Sequence, residues 1–479
     1  MKPNILLLQC HDLGDHLACY SGNSAQTPNL DRLAAEGVVF ERHFAAAPTC
    51  SPSRGAMLTG LMPHRNGLMA LASGGHWEVK PEILTLPQLL QEVGYTTACF
   101  GTWHISAEFW DRGIEEGNQD SRCDQVAANA MRYLHRYLRD ESKNSPFFLM
   151  VGFDKPHRPF TDAWPDLQNP QDVIVPGYLE DAPEVRDEMV RFYGEVSRMD
   201  AAVGRALDAL WECGLDENTL VIFTSDHGVG MPLAKGTLYD PGLKIPLIVC
   251  WNGRVQGGQR CSALTSNVDL LPTILEVIGE QGQLLGGLDG HSLWPFIERG
   301  ENVSHEHIFA EQTWHDFYEP IRAIRTARYK LIRNFEPGTG LQVGADILYS
   351  PTVDAMRETL RNWPRPEIEF YDLEQDPWER NNLAGNPHTI EIEKTLTKEL
   401  GDWLARTGDP ILQGVVSAPI GYWEHFCAKP VGPGGLPCEP GREGWLTVHW
   451  PSGATEHRCV GEKGETRRSR IGDQMVKAL

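Results

Sequence analysis

The chain has 479 residues, too many for one ordinary hydrophobic core, so two domains are the natural expectation. Its 41% apolar and 23% charged composition is that of a soluble globular protein. With 43 basic and 65 acidic side chains the net charge is −22, which argues against nucleic acid or a bulk polyanion as partner but leaves room for a locally positive pocket.

In chain order, "NILLLQC" reads as a buried strand beginning almost at the N-terminus. The apolar run Ile5–Leu8 is far too short for a signal peptide or a membrane span. With an odd number of cysteines, eleven, and no framework spacing, this points to a cytoplasmic protein whose thiols stay reduced, unless a leader has been trimmed away. "PNLDRLAAEGVVF" and "TLPQLLQEVGYTTACFG" each read as a helix feeding a strand. "SPFFLMVGFDKPHRPF" is a strand ending in a loop, and "DAAVGRALDALWECGLDENTLVIFTSDHG" is helix, turn and strand. Such alternation predicts an α/β fold with a large mixed, mostly parallel sheet flanked by helices. After about Glu311 the pattern changes: "IRAIRTARYKLIRNF" alternates like an antiparallel strand pair, and "IEIEKTLTKELGDWLARTGD" is an amphipathic helix. We therefore expect a catalytic domain over 1–315, a smaller C-terminal α+β domain on an antiparallel sheet over 316–410, and a Pro/Gly-rich wrapping extension with a charged tail over 411–479.

Ligand sites in parallel sheets lie beyond the carboxyl ends of the strands. His11 and Asp12 follow the first strand, and Asp226 and His227 a later one. Carboxylates and imidazoles from two strand ends make a divalent-metal site, although either pair alone reads more simply as a turn cap. His104 in "GTWHI" and His157 in "DKPHRPF" are candidate acid/base groups, and Lys235 a candidate cation for an anionic substrate. In "APTCSPSRGAMLTG", Pro52 marks a helix start with Ser51 as its N-cap. Cys50 then sits at a helix mouth that favours anions, with Arg54 a turn away.

"CSPSRGAMLTG" resembles the C-x-P-x-R signature of the type I sulfatases, members of the alkaline-phosphatase-like superfamily. "GTWH", "TSDHG", "KGTLYDPGLKIP" and "YDLEQDPWERNNLA" follow in the family's order, so the resemblance spans most of residues 1 to 405. "EPIRAIRTARYKLIRN" and "ILYSPTVDAMR" look most like the N-sulfoglucosamine sulfohydrolase (sulfamidase) branch, and "VGFDKPHRPF" is also similar to iduronate sulfatases. The resemblance implies that a maturation enzyme converts Cys50 to formylglycine. One hydroxyl of the hydrated aldehyde then attacks sulfur, and the second expels sulfate as the aldehyde reforms. It implies that Arg54 orients the formylglycine, His157 protonates the leaving group, His104 manages the second hydroxyl's proton and Lys235 binds sulfate. Ca²⁺ or Mg²⁺ would be held by Asp12, Asp226, His227 and the formylglycine of Cys50, with His11 as a further ligand. In "EQTWHDFYEP", Trp314 and Tyr318 are candidates for stacking on a sugar ring, and His315 and Asp316 for binding its hydroxyls; a domain-joining loop with buried aromatics is the equal alternative.

Two positions depart from the family pattern. His11-Asp12 stands where Asp-Asp is usual, which puts the metal's identity in question. Gly101-Thr102-Trp103-His104 stands where G-K-W-H is usual, removing a sulfate-binding lysine for which Lys155 or Arg158 is the candidate substitute. The expected substrate is a sulfate ester or sulfamate on a small sugar; a homo-oligomer is left open. The alternatives are a phosphodiesterase or phosphonate monoester hydrolase on the same scaffold, and a silent binding protein with unmodified Cys50.

Overall fold

The structure, a computed structural model, describes residues 2–21, 25–72, 77–140, 145–161, 168–280, 287–419, 444–449, 455–460 and 466–467. One large sheet contains β1 (Asn4–Cys10), β2 (Val38–Phe44), β3 (Thr96–Gly101), β4 (Glu116–Asn118), β5 (Phe147–Gly152), β6 (Thr219–Ser225), β7 (Lys244–Ile245), β8 (Leu247–Cys250) and β9 (Gln259–Ser266). The order is β4-β3-β5-β1-β6-β8-β2-β7, with β9 also on β2. From β4 to β6 every pairing is parallel, and β8 then runs antiparallel to both β6 and β2.

The central strands are apolar throughout because both faces are covered. Alternate residues feed two cores: Leu6 and Leu8 of β1, Leu149 and Val151 of β5 and Phe223 of β6 pack on one face. Ile5 and Leu7, Phe148 and Met150, and Leu220 and Ile222 pack on the other. The long helix Pro183–Glu212 covers the first face with Val185, Met189, Phe192 and Val196. Truncating a residue buried this deeply, such as Met150 to Ala, costs about 2–5 kcal/mol.

Register places the functional loops. Gly101 pairs with Gly152, Gln9 with Gly152, and Cys10 with Ser225. Four strands thus end level, and the residues after them converge on one edge of the sheet.

A second, antiparallel sheet follows: β10 (Ile308–Trp314), β11 (Tyr318–Arg325), β12 (Tyr329–Asn334) and β15 (Ile368–Asp372), with the short pair β13 (Gly338–Thr339) and β14 (Pro364–Arg365) apart. The helix Ile390–Thr407 lays Leu396, Leu400, Trp403 and Leu404 into the same core as Ile324, Leu331 and Phe370. Residue 315 falls in the turn between β10 and β11, so this sheet takes its first strand from within the segment 1–315. Beyond residue 419 only three paired strands, β16 (Gly444–His449), β17 (Thr455–Val460) and β18 (Thr466–Arg467), are described, and most of the expected extension lies outside the described residues. Among the described residues no helix is long and apolar enough to cross a membrane.

Candidate active site

The Cys50 helix spans Cys50–Thr59, with all ten residues buried. It begins earlier than the proline suggests: Thr49 is the N-cap, Cys50 the first helical residue, and Ser51 and Pro52 lie in the first turn. Ser51 instead accepts a hydrogen bond from the Ala72 backbone, 3.0 Å. The start moves because Pro is tolerated anywhere in a first turn, where its missing N–H has no partner. Gly60, at φ 65°, closes the helix by donating to Ala56 O at 2.9 Å.

Cys50 lies at the helix mouth, where free N–H groups favour negative charge. Burial pushes its thiol up, yet the surrounding imidazoles of His104, His11, His227 and His315 hold it well below its ordinary value. Three of these follow strand ends, and the fourth comes from the β10–β11 turn. His104 at φ 62° and Asp12 at φ 57° are among the few non-glycine residues with left-handed backbone. Such backbone is uncommon and tends to collect at functional sites.

Arg54 is engaged by the strand ends behind Cys50. Its buried guanidinium donates to Asp226 Oδ2 from Nε at 3.1 Å, to Gln9 Oε1 and Thr102 O from Nη1 at 2.7 and 3.1 Å, and to Cys10 O from Nη2 at 3.4 Å. It is therefore the counter-charge that fixes Asp226. Asp226 Oδ1 accepts the backbone N–H groups of Asp12 and His227, at 3.0 and 2.9 Å. Burial would raise the Asp226 carboxyl, but His11, His227 and Arg54 hold it at about 2.

His11, Asp12, Asp226 and His227 present ligand atoms within 4.8 Å of one another. His227 shares its Nδ1 hydrogen bond with Gly228 O, 2.9 Å, so its Nε2 lone pair points inward. That Nε2 is buried and lacks a well-aligned hydrogen-bond partner among the described residues, although it lies 3.2 Å from Asp12 Oδ1 and 3.8 Å from Asp226 Oδ1. Gly230 leaves the room needed: a Cβ there would stand 2.8 Å from Asp12 Oδ2. An orphaned imidazole nitrogen facing two carboxylates fits a divalent cation. His11 Nδ1 is 2.6 Å from Asp12 Oδ1. Burial opposes its charge, but Asp226 and Asp12 raise its pKa to about 10.

Lys235 lies between two carboxylates, with Nζ 2.8 Å from Asp12 Oδ2 and 2.6 Å from Asp346 Oδ2. His157 shares Nδ1 with Arg158 O at 2.7 Å and turns Nε2 toward Asp346 Oδ2, 3.6 Å, and Asp12 Oδ2, 3.9 Å. Asp346 is the residue that sequence reasoning missed. It is an isolated carboxylate in a second-domain loop, with no spacing or motif to mark it. Lys235 and His157 hold it at about 2 against the effect of burial.

Three expectations change. Lys155 and Arg158 do not replace the missing lysine: Lys155 Nζ donates to His157 O and Pro159 O at 3.0 Å each, and Arg158 is bound to Gly230 O at 2.7 Å and Glu188 at 2.5 Å. Trp314 and Tyr318 pack on each other at 4.7 Å, and the Trp314 indole donates to Val416 O at 2.8 Å, so these rings serve the second sheet's core and not a sugar. His315 reaches Cys50 itself, anchored through Nδ1 on Asp316 Oδ2 at 3.0 Å; Asp316 also accepts the Ala345 N–H at 2.6 Å and so holds the loop that carries Asp346.

Residues 3–280 match the sulfatase family, and residues 231–342 match the C-terminal domain of N-sulphoglucosamine sulphohydrolase. The chain belongs to the sulfatase family. It is a sulfuric ester hydrolase, of a family that generally uses formylglycine and a divalent metal. Human N-sulphoglucosamine sulphohydrolase is 31% identical, over 88% of this chain and 93% of its own. An ulvan-active sulfatase from Formosa agariphila is 28% identical, over 88% of this chain and 83% of its own. A solved structure in complex with its substrate D-glucosamine-2-N,6-O-disulfate superposes with a TM-score of 0.66 at 21% identity, over 85% of this chain and 99% of that one. This last likeness carries the fold.

Proposed function

We propose that this sulfatase removes a sulfate ester or sulfamate from a small sugar, through a formylglycine formed at Cys50 beside a Ca²⁺ or Mg²⁺ ion. The observation that carries the reading is that His11 joins two clusters, Cys50 with His104 at the mouth of an anion-favouring helix and Asp12, Asp226 and His227 beside it. Asp12, Asp226 and His227 hold the metal, with His11 beside them; the bound ion supplies Lewis-acid stabilisation of the charge on the transferred group. Arg54 keeps Asp226 ionised and oriented. Lys235 binds sulfate. His157, on the Asp346 side, donates a proton to the departing oxygen or nitrogen. His104, at Cys50, takes the proton that lets sulfate leave.

A terminal or single sugar suits the site better than the interior of a long chain. Lys235 and Cys50 are overlain by the second-domain elements that carry His315 and Asp346, and a net charge of −22 disfavours a long polyanion across the surface. The relatives named above support a sulfated sugar, with N-sulfoglucosamine the first to try. The eight cysteines whose side chains are described are unpaired, which suits a cytoplasmic enzyme. The test compares N-sulfated and O-sulfated mono-, di- and polysaccharides, with an aryl phosphodiester as control. Faster sulfate release from free sugars and termini is expected; equal release from chain interiors overturns the pocket, and preference for the phosphodiester overturns the sulfatase reading.

A further inference from the structure

Away from the catalytic centre, two histidines and a carboxylate meet where β9 gives way to the helix Leu270–Val277. Asp269 stands at the start of that helix and turns its buried carboxylate back on the chain. Oδ2 accepts the Ser266 N–H at 2.8 Å, and Oδ1 accepts the His291 N–H at 2.9 Å. Two later segments are pinned beside it: Leu293 N donates to Thr273 Oγ1 at 2.8 Å, and His305 N to Leu264 O at 2.9 Å. The rings of His291 and His305 are thereby brought nearly face to face, with centroids 3.8 Å apart.

Ligand atoms of Asp269, His291 and His305 all lie within 4.8 Å of one another. His305 Nε2 is 2.9 Å from both Asp269 Oδ1 and Oδ2. One N–H cannot point straight at two oxygens. Two ligand atoms of a single ion, each about 2.0–2.2 Å from it, stand about 2.9–3.3 Å apart, so the same spacing suits a shared cation. His291 Nε2 is 2.7 Å from Val303 O, a group that only accepts, so Nε2 carries the proton and Nδ1 is the nitrogen left to ligate. That carbonyl, with the two N–H groups on Asp269, supplies the outer hydrogen bonds that hold ligands in place. His305 lines a cavity of about 250 Å³ together with Asp289 and His307, which gives an ion a way in and leaves space for a water as fourth ligand.

We propose that Asp269, His291 and His305 form a second metal site, for Zn²⁺ or a similar borderline ion. Two imidazoles and one carboxylate suit such an ion better than Ca²⁺ or Mg²⁺, which take oxygen ligands. Binding sends the His305 Nε2 proton to solvent. The site shares no residue with the catalytic centre and does not depend on the sulfatase reading. Its place in the fold makes it a fastener. Asn267, two residues before Asp269, donates to Ser53 Oγ at 2.8 Å and Ser53 O at 3.1 Å and accepts the Ala46 N–H at 3.0 Å, so this corner grips the Cys50 helix from behind. The ion ties the same corner to the segment from His291 to His305.

The test uses the full chain, stripped of metal and then held in excess Ca²⁺ and Mg²⁺ so that the catalytic ligands are occupied. Zn²⁺ is titrated calorimetrically into wild type, His291→Gln, His305→Gln and His227→Gln, the last removing the nitrogen by which the catalytic site would take Zn²⁺. Wild type and His227→Gln should each bind an equivalent of Zn²⁺ tightly and melt at a higher temperature with it. His291→Gln and His305→Gln should bind that equivalent at least about a hundredfold more weakly, since even a ligand's hydrogen-bond partner is worth about 10–100-fold. His291→Gln leaves the contact between His305 and Asp269 in place, and melting without Zn²⁺ checks that each variant is folded. Should either melt early, X-ray absorption at the zinc edge of His227→Gln decides, with two imidazoles expected around the ion and an all-oxygen shell overturning the proposal. Zn²⁺ affinity in folded His291→Gln or His305→Gln equal to that of wild type also overturns it. So does the lack of a tight equivalent in wild type, or one that disappears in His227→Gln, which would assign the ion to the catalytic ligands.

Discussion

Asp226→Asn is the most informative single change at this site. The carboxylate accepts Arg54 on one oxygen and the Asp12 and His227 N–H groups on the other. An amide cannot serve both sides. If its oxygen stays with the backbone donors, its NH₂ faces a guanidinium; if it flips, its NH₂ faces two N–H groups. Either way a fully buried Arg54 loses its counter-charge, a loss that costs about 3–5 kcal/mol. The acid limb checks the same interaction. Asp226 is held at about 2, below its ordinary 3.8, so its contribution is present above 3.8 and lost as pH falls through about 2. The assay is urea denaturation followed by tryptophan fluorescence, in excess chelator so that metal binding does not enter. The wild type should exceed the variant by about 3–5 kcal/mol at neutral pH, with a difference that shrinks as pH falls from 3.8 toward about 2. A variant within about 1 kcal/mol of wild type at neutral pH, or a difference that grows on acidification, would refute the pairing.

Chelation should abolish turnover, and Ca²⁺ or Mg²⁺ should restore it, with Mn²⁺ and Zn²⁺ as comparison ions because His227 offers nitrogen; a rate unchanged after exhaustive chelation contradicts the metal site. His157→Ala should slow poor leaving groups far more than activated aryl sulfates, and equal losses across a leaving-group series would move the acid role to another residue. At the junction of the two sheets, His64 lies 2.5 Å from Glu311 and 3.7 Å from Asp409. Burial opposes its charge, but Glu311 and Asp409 raise its pKa above 6.5, so its stabilisation is complete below 6.5 and lost as pH rises through that raised value. His64→Gln should therefore cost about 3 kcal/mol in mildly acidic buffer and less in alkaline buffer; a denaturation difference that does not change with pH, or that grows toward alkaline pH, contradicts the charged pair.

What could be read in advance was what chain order and local pattern carry. The apolar run of β1 and the polar residues just after it were enough to place His11 and Asp12 at a strand end, and the same held for Asp226 and His227 after β6. The antiparallel pairing of β11 and β12 was visible as alternation in "IRAIRTARYKLIRNF". Tertiary partners were not visible. Nothing local distinguishes Lys155 and Arg158, bound to carbonyls and to Glu188, from free cations. Trp314 reads equally as a sugar platform and as core, because burial is decided by Tyr318 and Val416. Asp346 and His315 reach the site through the docking of the second sheet, a contact that leaves no spacing in the sequence.

The central claim is that a nucleophile made from Cys50 transfers the sulfuryl group. The most direct measurement varies the converted fraction of Cys50 across preparations made with and without the maturation enzyme. That fraction is read from the mass of the Cys50 peptide, an aldehyde in place of the thiol, and plotted against the rate of sulfate release from one substrate. The account predicts a straight line through the origin, with Cys50→Ala lying at zero. A rate independent of the converted fraction, or turnover by Cys50→Ala, would contradict it.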